Sequence, residues 1–269
     1  MTAPLPALRL EAAPDLAGRE RAVREQGFAY LPALLDADRI TALREAMDRA
    51  EPLAESFDRL EEPPGHPFYH KVINNAFNRD LLFLSCLDFP EVIELAEALH
   101  GGDCHVIGMT AWLTGPGRPD QGLHADWQPL TLPEDVMDDP RVQIPVFITT
   151  AHFYLDDLTE ELGPTVFVPG SHRAGRPPDG DRTWRGTGEH SILCRAGDVV
   201  VFRSEVWHRG TANRSDRVRY LLQVHYARRM ITQKYPPYLN RFRFDPAILE
   251  QATPRQRRLM GDHRPSNYD

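Results

Sequence analysis

Two hydrophobic periodicities divide the chain. Upstream of residue 103 apolar positions recur at spacings of three and four, and downstream they alternate in short runs. Residues 15–26 have helical composition, and Gly27 supplies a C-terminal stop. FAYLPALL (28–35) reads as a short extended segment. Asp36 is a good N-cap for the next helix, on which Ile40, Leu43 and Met47 share a face. Residues 52–80 are proline-rich and read as irregular, with a polar and aromatic cluster of His66, Phe68, Tyr69, His70, Lys71, Asn74 and Asn75. Asp88 is placed to cap a second helix through Val92, Leu95, Ala96 and Leu99, which stops at Gly101-Gly102.

From residue 103, runs rich in Val, Ile, Thr, Phe and Tyr alternate with Gly, Pro and Asp breaks, the pattern of a sandwich or barrel. Strands are predicted near 104–113, 121–127, 144–156, 165–168, 190–194, 198–203, 206–211 and 217–227. Gly197-Asp198 marks a turn before the apolar run VVVF. Residues 172–189 are too rich in Gly and Pro for regular structure, and loops of that length are functional lids or disordered. No internal repeat occurs. The expected organisation is one mainly β domain with flanking helices: a helical region over about 15–100, a β core over about 103–228 and a C-terminal extension over about 229–269.

Composition narrows the class. The 269 residues are 41% hydrophobic and 26% charged, ordinary for a globular chain able to bury a core. A formal charge of −8 without a basic run speaks against nucleic acid as a partner. Only Lys71 and Lys234 among the 31 basic residues are lysines, which reads as a GC-rich source genome. Cys86, Cys104 and Cys194 are odd in number and lack metal-type spacing, so a reduced, cytoplasmic protein is expected. The first twenty residues show no apolar signal core and no apolar run reaches about eighteen residues, so neither secretion nor a membrane span is expected.

The chemistry concentrates in GLHADWQ (122–128). His124 and Asp126 at i and i+2 of an extended segment point to one face, and His208 lies far downstream in VWHRGTANRSDRVRY. Two imidazoles and one carboxylate form the facial triad of non-haem Fe(II) oxygenases, which leaves positions open for O2 and a co-substrate. A hairpin folded about Asn213–Arg214 would pair position 208 with 219 and set Arg219 beside His208. A guanidinium there needs a carboxylate and suits the far end of a dicarboxylate co-substrate. One H-x-D pair is common by chance, and a lone strand histidine is more often hydrogen-bonded structure; four residues around one pocket make the stronger case.

The order of motifs resembles the phytanoyl-CoA dioxygenase-like enzymes. QGFAYLPALLDADRITALREAMD looks like their N-terminal segment, followed by HAD at 124–126, YLDDLTEELGPTVFVPGSH at 154–172, AGDVVVF at 196–202, and His208 with Arg219. The resemblance covers most of residues 20–228. It implies a double-stranded β-helix (jelly-roll, cupin-like) core, Fe(II) on His124, Asp126 and His208, O2 as oxidant, and Arg219 on the distal carboxylate of 2-oxoglutarate. It also implies small hydroxyl residues near the co-substrate at Thr150 and Thr211. Leu162 stands where many relatives carry Asn before Gly-Pro, a departure expected to affect a turn. An intact Asp126 argues against halogenation, because halogenating relatives replace that carboxylate.

On the substrate side, Thr150, His152 and Tyr154 share one face by alternation, so His152 and Tyr154 are candidates for a small-molecule pocket or for core. Trp112 and Trp127 are further candidates; Trp112 reads as core ahead of cavity wall, and Trp127 should point away from Asp126 unless the strand ends there. His172 is expected to support the barrel mouth, and Trp184 to cover substrate or anchor its loop. The expected activity is oxidation of an unactivated C–H, with hydroxylation the default and epimerisation, cyclisation or desaturation open. A bacterial secondary metabolite is preferred over acyl-CoA or a compatible solute. Two other readings use the same ligands: a cupin-like metal-binding or sensing protein without turnover, and a zinc hydrolase.

Overall fold

A computed structural model describes residues 4–50, 70–235 and 242–264; His66, Phe68 and Tyr69 lie outside them. Helices α1 (Leu16–Glu25), α2 (Ala37–Arg49), α3 (Leu81–Leu84) and α4 (Pro90–His100) precede most of the strands. Short helix α5 (Glu134–Met137) interrupts the β region, and α6 (Pro246–Gln251) and α7 (Pro254–Leu259) follow it. The strands are β1 (Phe28–Leu31), β2 (His70–Asn74), β3 (His105–Thr114), β4 (Ile148–Tyr154), β5 (Thr165–Phe167), β6 (His190–Ser191), β7 (Val199–Arg203), β8 (His208–Gly210) and β9 (Arg219–Ala227). They form an antiparallel six-stranded sheet in the order β1-β7-β4-β9-β3-β2 and a three-stranded sheet in the order β6-β5-β8. Two sheets with Greek-key crossovers make the expected jelly roll.

Strand alternation sorts side chains between two cores. Val199 and Val201, Ala151 and Phe153, and Leu222, Val224 and Tyr226 face outward onto Leu43 and Met47 of α2 and Val92, Leu95 and Leu99 of α4. Their neighbours Val200, Phe202, Tyr154 and Leu221 face inward and pack with Phe28, Phe167 and Ile192 between the sheets. Each such buried side chain stabilises the fold by about 1.5–3 kcal/mol, and the helices supply about a third of the larger core. Asp198 ties β1 to its neighbour: its carboxylate accepts from the Tyr30 hydroxyl at 2.8 Å and from the Ala33 amide at 2.9 Å. Gly197 before it has φ +95, and a Cβ there would sit 2.4 Å from the Leu35 carbonyl, so this turn requires glycine.

Four local expectations are corrected. Residues 70–74 form β2 on the sheet edge, paired with 110–114, because Thr110–Thr114 offers a free ladder despite the proline-rich approach. α4 begins at Pro90 with no side-chain cap; the Asp88 carboxylate instead accepts from Gln256 Nε2 at 2.8 Å. Residues 121–127 do not form a strand and contribute one isolated bridge, His124 to His208. The 208–219 hairpin does not exist: β8 pairs with β5, and β9 pairs with β3 and β4 in the other sheet. The Asn213 amide bonds the Thr114 and Arg217 carbonyls, so 213–216 carries the chain from one sheet to the other.

Loop 172–189 places no residue in the apolar core between the sheets. Ion pairs Arg176–Asp181, Arg182–Glu189 and Arg185–Glu134 pin it, and the Trp207 indole donates to the Arg176 carbonyl at 2.9 Å. Trp184 stacks on Arg185 and packs against Gly170, away from the cavity. His172 is buried, with Nε2 3.3 Å from the Arg24 carbonyl, and supports the N-terminal helix.

Candidate metal and co-substrate site

Between the sheets lies a cavity of about 190 Å³. The six-stranded sheet lines it with Trp112, Thr114, His152, Arg219, Leu221 and Gln223, the three-stranded sheet with Thr165, His208 and Gly210. The segment after β3 adds Arg118, Gln121, His124 and Asp126. His124 and His208 face each other as a mutually hydrogen-bonded backbone pair, at 3.0 and 2.8 Å, with ring centroids 4.5 Å apart. Asp126 follows two residues on, and its Oδ1 lies 3.7 Å from His124 Nε2 and 3.6 Å from His208 Nε2.

The backbone orients both rings. His124 Nδ1 lies 2.8 Å from the Gly122 carbonyl, and His208 Nδ1 lies 2.9 Å from the Val206 carbonyl. A carbonyl only accepts, so each Nδ1 carries the proton and each Nε2 presents a lone pair toward Asp126. One ligand atom from each of the three residues falls within 4.8 Å of the others, which fits one ion. Two nitrogens and a carboxylate oxygen suit Fe(II) and its first-row neighbours.

Burial would raise the Asp126 carboxyl, but the neighbouring His208 and His124 imidazoles outweigh it and hold the group well below the usual carboxylate range. His124 is raised above its ordinary value, chiefly by the Asp126 carboxylate facing its Nε2 and against the opposing effect of burial, whereas burial lowers His208. A proton on His124 Nε2 occupies the metal-binding lone pair. Metal affinity is therefore expected to fall as pH drops through the raised His124 value, with more protons released per metal bound at pH ~6 than at pH ~8. Calorimetric titration with Ni(II) in buffers of different ionisation enthalpy measures that release; equal release at both pH values would contradict the assignment.

Arg219 reaches the cavity from β9, across from His208. It is 7% exposed; Nη1 donates to the Gly163 carbonyl, and Nε has no partner. Among the described residues no carboxylate pairs with it, and burial followed by the Arg118 charge lowers it to about 10. A buried guanidinium without a counter-ion is costly, and its open donors fit a ligand carboxylate.

The remaining candidates separate. His152 and Trp112 line the cavity, joined through Gln223: His152 Nε2 lies 2.8 Å from its amide nitrogen, and the Trp112 indole donates to its oxygen at 2.8 Å. Thr150 lies on the same face but deeper, 3.0 Å from His225 Nδ1, and does not line the cavity. Tyr154 packs in the inter-sheet core, with its hydroxyl 3.4 Å from His152 Nδ1. The Thr211 hydroxyl donates to the Pro164 carbonyl at 2.6 Å. Trp127 is 37% exposed, under Lys234 at 5.6 Å, because the extended segment ends at Asp126. Leu162 is a buried member of the inter-sheet core. Arg118, Gln121 and Gln223 escape sequence reasoning; the only signal for the first two is a polar pair in the turn-rich run GPGRPDQG.

Folded this way, the chain has a two-sheet jelly-roll core with two histidines and a carboxylate meeting inside it. It belongs to the phytanoyl-CoA dioxygenase (PhyH) family, whose model matches residues 23–220. Dioxygenase af480 of Aspergillus fumigatus is 27% identical over 220 residues, which are 76% of this chain. The chain spans 64% of that relative's length. The alpha ketoglutarate-dependent epimerase SnoN from nogalamycin biosynthesis superposes with a TM-score of 0.61 at 21% identity, over 79% of this chain and 80% of that one. HygX from Streptomyces hygroscopicus, with nickel, 2-oxoglutarate and hygromycin B bound, gives a TM-score of 0.63 at 15% identity, over 80% and 88%. At these identities the two structures bear on the fold alone. No helix among the described residues is long and apolar enough to cross a membrane, and the three cysteines are buried and free.

Proposed function

We propose that this chain is an Fe(II)/2-oxoglutarate-dependent dioxygenase that oxidises an unactivated C–H of a small molecule, by default hydroxylating it, in the cytoplasmic tailoring of a bacterial secondary metabolite. The observation that carries the reading is the meeting of His124, Asp126 and His208 with the unpaired Arg219 in one cavity. His124 and His208 would hold the iron through Nε2 and Asp126 through its carboxylate, while Arg219 would orient the co-substrate by its distal carboxylate. Iron with 2-oxoglutarate and O2 supplies the oxidising power, the co-substrate leaving as succinate and CO2. The protein's own part is to hold the C–H in place and limit water. Trp112, Gln223 and His152 form a hydrogen-bonded wall for this, and burial keeps His152 well below its ordinary pKa and neutral.

Epimerisation is the second outcome supported, through the fold shared with an epimerase. A metal-binding protein without turnover is disfavoured, because it has little use for an unpaired guanidinium across from the ligands. A zinc hydrolase lacks its base: Asp126 is the only carboxylate among the described lining residues.

Anaerobic titration of the apo-protein with Fe(II) and 2-oxoglutarate is expected to produce the visible metal-to-ligand charge-transfer band of the chelate. A folded, metal-loaded protein without that band would favour the binding-protein reading. Turnover of natural-product scaffolds is expected in preference to acyl-CoA esters; robust acyl-CoA hydroxylation would reverse the substrate assignment.

A further inference from the structure

Arg118 is a second buried cation in the cavity, and the established pattern of ligands does not use it. It is 8% exposed, its Nη1 is buried without a hydrogen-bond partner, and no carboxylate forms an ion pair with it among the described residues. Its position is built. The Asn213 amide donates to its carbonyl at 3.0 Å, and the Gly117 amide donates to the Asn213 carbonyl at 2.9 Å. Two residues on, the Asp120 carboxylate accepts from Arg209 Nη1 at 2.6 Å and from the Ala212 amide at 3.0 Å. Gln121 exchanges backbone and side-chain hydrogen bonds with Gly210, at 3.0 and 2.8 Å. The segment is thus stapled along β8 and its exit, and glycine at 210 makes the close approach possible: a Cβ there would lie 3.1 Å from Arg118 Nη1.

Arg118 therefore enters the cavity from the side of the three-stranded sheet, and Arg219 enters it from the six-stranded sheet. Two like charges are brought to one small space with unsatisfied donors on both, Nη1 of Arg118 and Nε of Arg219. A single carboxylate between them satisfies both and offsets their repulsion. The electrostatics agree, since the Arg118 charge acts on both Arg219 and His124, while Asp120 acts on Arg118 itself without forming an ion pair with it.

We propose that Arg118 and Arg219 clamp the distal carboxylate of the co-substrate from the two sheets, so that Arg118 is a positioning residue for a dicarboxylate 2-oxo acid. This rests on the oxygenase reading above. A lone guanidinium fixes one edge of a carboxylate; two on opposed walls fix its plane and select a diacid over a monoacid.

The test is calorimetric binding of 2-oxoglutarate and of 2-oxopentanoate, which lacks the distal carboxylate, to the Ni(II)-loaded wild type and to Arg118→Ala, Arg118→Gln and Arg118→Lys. The wild type is expected to favour 2-oxoglutarate strongly. The Ala and Gln variants should lose about tenfold or more for 2-oxoglutarate and little for 2-oxopentanoate, with Lys restoring part of the loss. Circular dichroism and Ni(II) affinity check that each variant is folded with its metal centre intact. Variants that bind 2-oxoglutarate like the wild type would overturn the clamp and assign Arg118 to an anionic group on the other substrate. An equal loss for both 2-oxo acids would overturn it too, as a general disturbance of the cavity. A metal-loaded wild type that binds neither acid would bring down the oxygenase reading itself.

Discussion

Asp126→Ala is expected to abolish turnover and to weaken metal binding on the order of 10³-fold, beyond the roughly 10–100-fold that loss of an outer partner of a ligand costs. The carboxylate is the one anionic ligand of the cluster, 3.6 and 3.7 Å from the two Nε2 atoms. Without it two neutral imidazoles remain to face a divalent charge. The residue sits where the bridged segment ends and supports no packing, so the variant should fold. Thermal melting with and without Ni(II) separates these effects: bound metal raises the wild-type midpoint by linkage, and the variant should show no shift. A variant that kept wild-type metal affinity would remove Asp126 from the ligand set.

Arg219→Ala is expected to raise the 2-oxoglutarate dissociation constant by about 100-fold while leaving metal affinity within a few-fold. Truncating one partner of a buried, hydrogen-bonded charge pair costs about 2–5 kcal/mol. In the free protein the guanidinium reaches only the Gly163 carbonyl and carries an unpaired Nε, so its removal relieves a buried charge and should not lower stability. Loss of the charge-transfer band at wild-type co-substrate concentrations, recovered at high concentration, is the matching spectroscopic result. Unchanged affinity would place the co-substrate elsewhere in the cavity.

The split between helices and strands was legible because the hydrophobic period itself changes, and 199–203 shows why: Val199 and Val201 face the helices, Val200 and Phe202 the opposite core. The triad was legible because metal chemistry restricts the residue types and i, i+2 spacing forces a common face. Arg219 lines the same cavity as His208, but not through the predicted hairpin. The predicted hairpin set it beside His208 as a strand partner, whereas the two residues lie on different sheets and each lines the cavity from its own strand. Alternation gives the face but not the depth. Thr150 and Tyr154 share the inward face with His152, yet the cavity opens at His152 alone of the three. Arg118 and Gln121 were illegible for a different reason. Their segment has no periodicity, and its position is set by hydrogen bonds to residues about ninety positions downstream.

Strand β8 has three residues, and each belongs to a different part of the molecule. His208 faces the ligand cluster, Arg209 turns the other way to Glu189 and Asp120, and Gly210 leaves room for the segment that carries Arg118. For anyone redesigning this protein, β8 is consequently the piece with no spare position: a one-residue insertion would exchange metal, brace and clearance at once. The outer turns at Gly180 and Gly186, where an added Cβ meets nothing within 4 Å, have open space around them instead. Positive φ at both still favours glycine there, so labels and new contacts belong beside these two residues and not in place of them.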